Sequence, residues 1–277
     1  MVESSLSLSS SLPASAATIS KIQELIYSVE ALERKRFSKA NNDDDVIVTQ
    51  PDESMRRARY AVETQTTLYY SAIWKFVPEN YYNTSLEERA QCLQAPSIHY
   101  LCKSLLLENR KVIATATPND PTNPRFVLVV IQYASVLDTK KLITAIRKLR
   151  PDVTQRLDVT QFDFRIATEV DNDIITGYAH NSVTPFGMRC QQQQEQKMKG
   201  DESRVMNVRA VPIILSSALL PLHFLWLGGG HEHLKLGMSV SDFCYAFREN
   251  NLMITADISR PRTSMGSNIN EEDNIDQ

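Results

Sequence analysis

Apolar residues recur along this chain with two periods, and the period sorts its segments into helices and strands. Between Thr18 and Phe37 the positions Ile22, Leu25, Ile26, Val29 and Leu32 are spaced three and four apart. That spacing predicts an amphipathic helix, with Thr18 or Ser20 as its N-cap. The acidic run Asn41 to Asp45 ends the pattern as a solvated loop, and Val46 to Val48 predict a short strand. Met55 to Arg59 read as a basic helical stretch, followed by Tyr60, Tyr69, Tyr70, Trp74, Phe76, Tyr81 and Tyr82. Aromatics beside arginines form either a core with a solvated basic rim or a stacking surface for single-stranded RNA; the core is the commoner arrangement.

Strand signals strengthen further on. Leu101 to Leu107 and Phe126 to Tyr133 are β-type runs, separated by a loop containing Pro118, Pro121 and Pro124. Leu142, Ile143, Ile146 and Leu149 line one face of a helix that Asp138 or Thr139 can cap. Thr168-Glu169-Val170-Asp171 has the form of a capping box for a short helix. Gln191 to Ser203, with four consecutive glutamines, predict a polar surface insertion. The most apolar run, Val211 to Leu227, contains Pro212, Ser216, Ser217, Pro221 and His223 and is only about as long as the shortest membrane span. It predicts two buried strands instead, Ile213 to Leu215 and His223 to Leu227, with a turn at Gly228-Gly229-Gly230. Leu234, Leu236 and Met238 then alternate with His233, Lys235 and Gly237, the two-residue period of a half-buried strand. Ser239 to Asp242 cap a last helix reaching about Arg248, and Leu252 to Ala256 would close the sheet. The expected organisation is a disordered leader over 1–17, a helical extension and domain start over 18–94, the main α/β (α+β) domain over 95–258 and a disordered tail over 259–277.

Composition narrows the partners. A chain of 277 residues with 42% hydrophobic and 23% charged residues can bury a sizeable core. Its net charge of −3 supplies no global attraction to nucleic acid, so an RNA contact must come from a local basic patch; DNA and membrane partners are not expected. Cys92, Cys102, Cys190 and Cys244 are scattered, which fits free thiols in a reducing compartment. The first twenty residues contain Glu3 and no Arg or Lys, unlike a mitochondrial or secretory signal, so the expected location is cytoplasmic.

Three separated pieces carry the chemistry. The first is Cys102-Lys103-Ser104-Leu105-Leu106 at the start of a strand. The second is Thr176-Gly177-Tyr178-Ala179-His180-Asn181-Ser182-Val183-Thr184-Pro185-Phe186-Gly187. The third is Gly228-Gly229-Gly230, followed by a strand and a helix with Asp242 in its first turn. In this order and spacing, over about Ala95 to Ala256, they resemble the YbaK/prolyl-tRNA-synthetase-associated domain, a family of aminoacyl-tRNA deacylases. The resemblance implies a twisted mixed sheet or partly closed barrel with flanking helices, and a free-standing hydrolase that removes the amino acid from mischarged tRNA. The partners it implies are the acceptor end of aminoacyl-tRNA and, as a second class, an aminoacyl-tRNA synthetase. No cofactor or metal is implied.

By the same resemblance Lys103 anchors a phosphate or the ribose edge. The loop Asn181, Ser182, Val183, Thr184 and Pro185 holds the ester carbonyl through backbone N–H groups, as an oxyanion hole does. Thr176, Gly177, Tyr178, His180 and Gly187 complete the substrate loop. Gly228, Gly229 and Gly230 line the pocket and let the nucleotide approach the backbone, with His231 beside them. His180 reads equally as a structural hydrogen-bonder or an acid–base group. His231 and His233 share a strand face, but no third ligand lies near enough to expect zinc. Strand alternation puts Cys102 opposite Lys103, in the core. One departure stands out: Asn181 occupies the position of a family glycine. Asparagine tolerates positive φ, yet its side chain stands where the aminoacyl group or ribose would approach. This leaves a catalytically weakened tRNA- or synthetase-binding module as the alternative, with an interaction protein recruited through the Thr18–Phe37 helix as a third class.

Overall fold

The apolar run that begins at Phe126 becomes the strand around which the larger sheet is built. The computed structural model describes residues 21, 52–68, 70–112, 120–192, 211–248 and 253–262. The expected leader, all of the Thr18–Phe37 helix but Lys21, the acidic loop, the Val46–Val48 strand and most of the polar insertion lie outside the described residues. The helices are α1 (Glu53–Tyr60), α2 (Leu86–Cys92), α3 (Thr139–Arg147), α4 (Glu169–Ile175), α5 (Arg189–Gln192) and α6 (Val240–Ala246). The strands are β1 (Ile73–Phe76), β2 (Cys102–Asn109), β3 (Phe126–Gln132), β4 (Ser135–Leu137), β5 (Phe164–Ile166), β6 (Ile213–Ser216), β7 (Phe224–His231), β8 (Leu234–Ser239), β9 (Met253–Ala256) and β10 (Ser259–Pro261).

The five-stranded sheet runs β5-β2-β3-β6-β9, with β2 antiparallel to β3 and β5 and with β3, β6 and β9 parallel. Every residue of β3 is buried, as expected where both faces of a sheet are covered. Alternation assigns the two cores. Cys102, Leu106, Leu128, Val130, Ile213 and Leu215 pack into one cluster, which also takes Leu225, Leu227, Leu234, Leu236 and Met238 from the smaller sheet β1-β8-β7. Leu105, Leu107, Val127, Val129, Ile131 and Ile214 face the other way, onto Leu142, Ile143 and Ile146 of α3. A single parallel bridge, Leu101 to Trp226, joins the sheets, and no barrel closes among the described strands.

The capping residues do what their chemistry requires. Asp138 accepts the Lys141 N–H at 3.0 Å, Thr168 that of Asp171 at 3.1 Å and Ser239 that of Asp242 at 3.0 Å. Four readings need correction. The ordered chain continues past 258, because Ser259–Pro261 pair with β4 as β10, and the Ser259 hydroxyl meets that of Ser216 at 3.0 Å. Gly228–Gly230 is no turn. It lies within β7 as a bulge between Gly228 and His231, and the chain reverses at Glu232-His233. β8 is buried on both faces, Lys235 included, because the 81–93 segment covers the side that would otherwise meet water. The basic rim is not all solvated either, since Arg57 and Arg89 are both buried.

Candidate active site

Lys103, at the start of β2, faces a cavity of about 640 Å³. Asn181 and Val183 of the loop after α4 form a second wall, and Gly228 of β7 and Lys235 of β8 a third. Thus the three motif pieces, far apart in sequence, meet at one cavity. Lys103, His180, Asn181, Val183 and Gly228 stand in its wall; Thr176, Gly177, Tyr178, Ser182, Thr184, Pro185, Gly187, Gly229, Gly230 and His231 do not.

These others shape the loop from behind. Thr176 receives the Tyr178 N–H on its hydroxyl oxygen at 3.1 Å and donates to Asn172 O at 2.8 Å. Tyr178 is fully buried, and its hydroxyl donates to Phe186 O at 2.6 Å; burial pushes the phenol up to about 12. Arg57 reaches in from α1, with its guanidinium 4.5 Å from the centre of the Tyr178 ring. It donates to Gly187 O at 2.8 Å and to Gly177 O at 2.5 Å, and so clamps both ends of the loop.

At the tip, Ser182 N–H donates to Ala179 O at 3.1 Å, closing a turn whose third residue, Asn181, has φ +61°. A positive φ at that place is what glycine or asparagine provides, so asparagine preserves the turn here. The amides of Asn181 and Val183 have no hydrogen-bond acceptor among the described residues.

The glycines in β7 allow close approach of neighbouring backbone. A Cβ on Gly228 would sit 2.6 Å from Val183 O, and Gly230, at φ +90°, would bring one within 2.9 Å of Ser54 O. Gly230 N–H also donates to Ser182 O at 3.1 Å. At Gly228 the absent side chain makes room for the loop, and Gly228 also stands in the cavity wall. His231 is half-buried, its imidazole held below its ordinary value chiefly by burial, and it accepts the His233 N–H on Nδ1 at 3.1 Å. Among the described residues no group of three His, Cys, Asp or Glu side chains is placed to hold a metal ion. Cys102 lies in the core, where burial pushes its thiol well up.

Sequence reasoning missed the polar cluster that completes the cavity. Lys235 is 5% exposed and donates to Glu232 O at 2.9 Å and to the Tyr82 hydroxyl. Its ammonium lies 4.3 Å from the Tyr82 ring centre and 5.1 Å from that of Tyr81. Burial, reinforced by nearby Arg89, brings its pKa down to about 7. Tyr82 donates to Asn181 O at 2.8 Å, and the Lys103 ammonium is 5.7 Å from the Tyr133 ring centre. Glu169 and Asp173, one turn apart on α4, add carboxylates to the same cavity. Alternation alone gave Lys235 the solvent side, and nothing local to β8 reveals the segment that covers it.

No family model matches this sequence, and no curated protein does. Solved structures do match. A crystal structure of a protein described as a candidate trans-editing enzyme for prolyl tRNA synthetase aligns at TM-score 0.51 and 18% identity, over 76% of this chain and 99% of that one. A scaffold from epitope backbone grafting by computational design aligns at TM-score 0.51 and 16% identity, over 76% of this chain and 100% of that one. At such identities the likeness is one of fold. The chain has a mixed α/β fold shared with that candidate trans-editing enzyme, and a cavity of mixed polar and apolar lining at the junction of its five-stranded and three-stranded sheets.

Proposed function

We propose that this protein hydrolyses the ester of mischarged aminoacyl-tRNA as a free-standing editing enzyme. The observation that carries the reading is the meeting of Lys103, the Asn181 loop and Gly228 around one cavity, in a fold like that of a candidate trans-editing enzyme. The substrate is an ester between an amino acid and the terminal ribose. Its hydrolysis needs a held carbonyl and a water, and no protein nucleophile. The Asn181 and Val183 amides, without acceptors among the described residues, are suited to polarise the carbonyl oxygen as negative charge develops on it. Lys103, at 7% exposure, sits in a medium where its charge acts strongly on a phosphate or ribose oxygen.

The test is deacylation of a panel of aminoacyl-tRNAs by the full chain and two variants. Lys103→Ala is expected to lower the single-turnover rate at least 100-fold, the size of effect that follows loss of one charged contact in a dry site. Asn181→Gly is expected to retain turnover, since the turn keeps its φ. A panel that is bound but not turned over, with activity gained in Asn181→Gly, would replace the hydrolase with a binding module of the same fold.

A further inference from the structure

The two elements assigned to chemistry, Lys103 and the Asn181 loop, are connected through two side chains outside all three motifs, Tyr82 and Tyr133. Tyr82 is the middle residue of the Tyr81–Asn83 turn and lines the cavity. Its hydroxyl has one proton and two lone pairs. The proton goes to Asn181 O at 2.8 Å, and one lone pair receives the Lys235 ammonium. The hydroxyl is also in hydrogen-bond contact with Tyr133, over whose ring the Lys103 ammonium lies. With the Tyr82 proton on Asn181 O, Tyr133 is left as the donor of that contact. Every valence of the hydroxyl is then used.

Tyr82 is fixed in turn. Arg89 of α2 donates to Tyr82 O and, at 3.1 Å, to Thr84 O, and its guanidinium lies 5.3 Å from the Tyr82 ring centre. Lys235 stands between Gly228 of β7 and Lys75 of β1 in the strand register, and Lys75 is tied back to Cys92 O at 2.6 Å. Gly228, the residue paired with Lys235 on β7, has no side chain, and the space over it is taken by Val183 O.

We propose that Tyr82 is a positioning residue for the hydrolytic loop, and that Lys235 fixes the direction of its hydroxyl, so that the Asn181 carbonyl is held back and the neighbouring amides are left facing substrate. This rests on the hydrolase reading above for its kinetic consequence, though not for its effect on the loop. The relay is sensitive to the charge of Lys235. As an ammonium, Lys235 can only donate, which leaves the Tyr82 proton to Asn181 O. As a neutral amine, it can accept that proton in a hydrogen bond and release the carbonyl. Burial and Arg89 favour the neutral form, while Glu232 and Cys92 act the other way; Tyr81, Tyr82, Lys75 and His231 are further titratable groups around the amine. The changeover is centred near pH 7.

The experiment compares the full chain with Tyr82→Phe, which keeps the ring and removes the hydroxyl. Two readouts are taken: single-turnover deacylation from pH 6 to pH 9, and amide hydrogen exchange. Exchange is expected to quicken about tenfold in residues 179–184 and to stay unchanged in β3, which also shows that the variant folds. The wild-type rate is expected to exceed that of Tyr82→Phe by about tenfold at pH 6, with KM within about twofold, and the ratio to shrink as pH rises through 7. A ratio that does not vary with pH, or loop exchange no faster than wild type, overturns the proposal. If no aminoacyl-tRNA is turned over by wild type, the hydrolase reading fails by itself, and the exchange measurement still decides the relay.

Discussion

Single side chains hold this site from behind, and their removal has readable costs. Arg57 is 8% exposed and gives hydrogen bonds to the carbonyls at both ends of the 177–187 loop. Arg57→Ala leaves Gly177 O without its partner and Gly187 O with only the Tyr178 hydroxyl at 3.2 Å, so it is expected to destabilise the protein by about 2 kcal/mol, measured by denaturant unfolding. Lys235 acts in the opposite sense. Its folded pKa of about 7 lies below the 10.5 of a free lysine, so burial costs stability in full below pH 7, and the cost is relieved as pH climbs towards 10.5. The slope is about 1.4 kcal/mol per pH unit across that window. Lys235→Met removes it. The variant is therefore expected to melt higher than wild type at pH 6, with the difference shrinking towards pH 10; a difference independent of pH would contradict a desolvated amine. Neither residue was visible as functional in the sequence. Arg57 lies in a basic run that reads as a solvated rim, and Lys235 on the polar side of an alternating strand.

Elements meet here through backbone as much as through side chains. The bulge in β7 puts Gly228 against Val183 O, and the loop tip is hydrogen-bonded to the strand from Ser182 O to Gly230 N–H. Gly228→Ala would thrust a methyl group into a backbone carbonyl. It is expected to cost roughly 1–3 kcal/mol and to displace the loop, seen as faster exchange at 179–184 together with a lower melting temperature. The strand and helix signals were largely legible. β2, β3, β6, β7, β8 and β9 fall on the apolar runs, and α3, α4 and α6 begin at their capping residues. The short pieces were not. β1, β4, β5 and β10 are three or four residues long and, unlike the equally short β6, lie in no sustained apolar run, and each is held by a partner distant in sequence.

At the scale of the molecule, the cavity lies where the five-stranded and three-stranded sheets join at the Leu101–Trp226 bridge, between the 81–93 segment and the 177–187 loop. The order and spelling of the three motifs anticipated which pieces would meet. The cationic and phenolic wall was hidden because Lys235, Tyr82, Arg89 and Tyr133 come from four unrelated stretches and no local pattern links them. A cavity with ammonium groups, phenols and the carboxylates of Glu169 and Asp173 offers partners for both the ammonium and the phosphate of the proposed substrate. No helix among the described residues is long and apolar enough to cross a membrane. The most direct test of the account is the half-life of the aminoacyl ester across a full panel of charged tRNAs, with the chain in excess. The account predicts that at least one ester decays faster in its presence and that Lys103→Ala removes the effect. Half-lives that are unchanged or lengthened across the whole panel would contradict it.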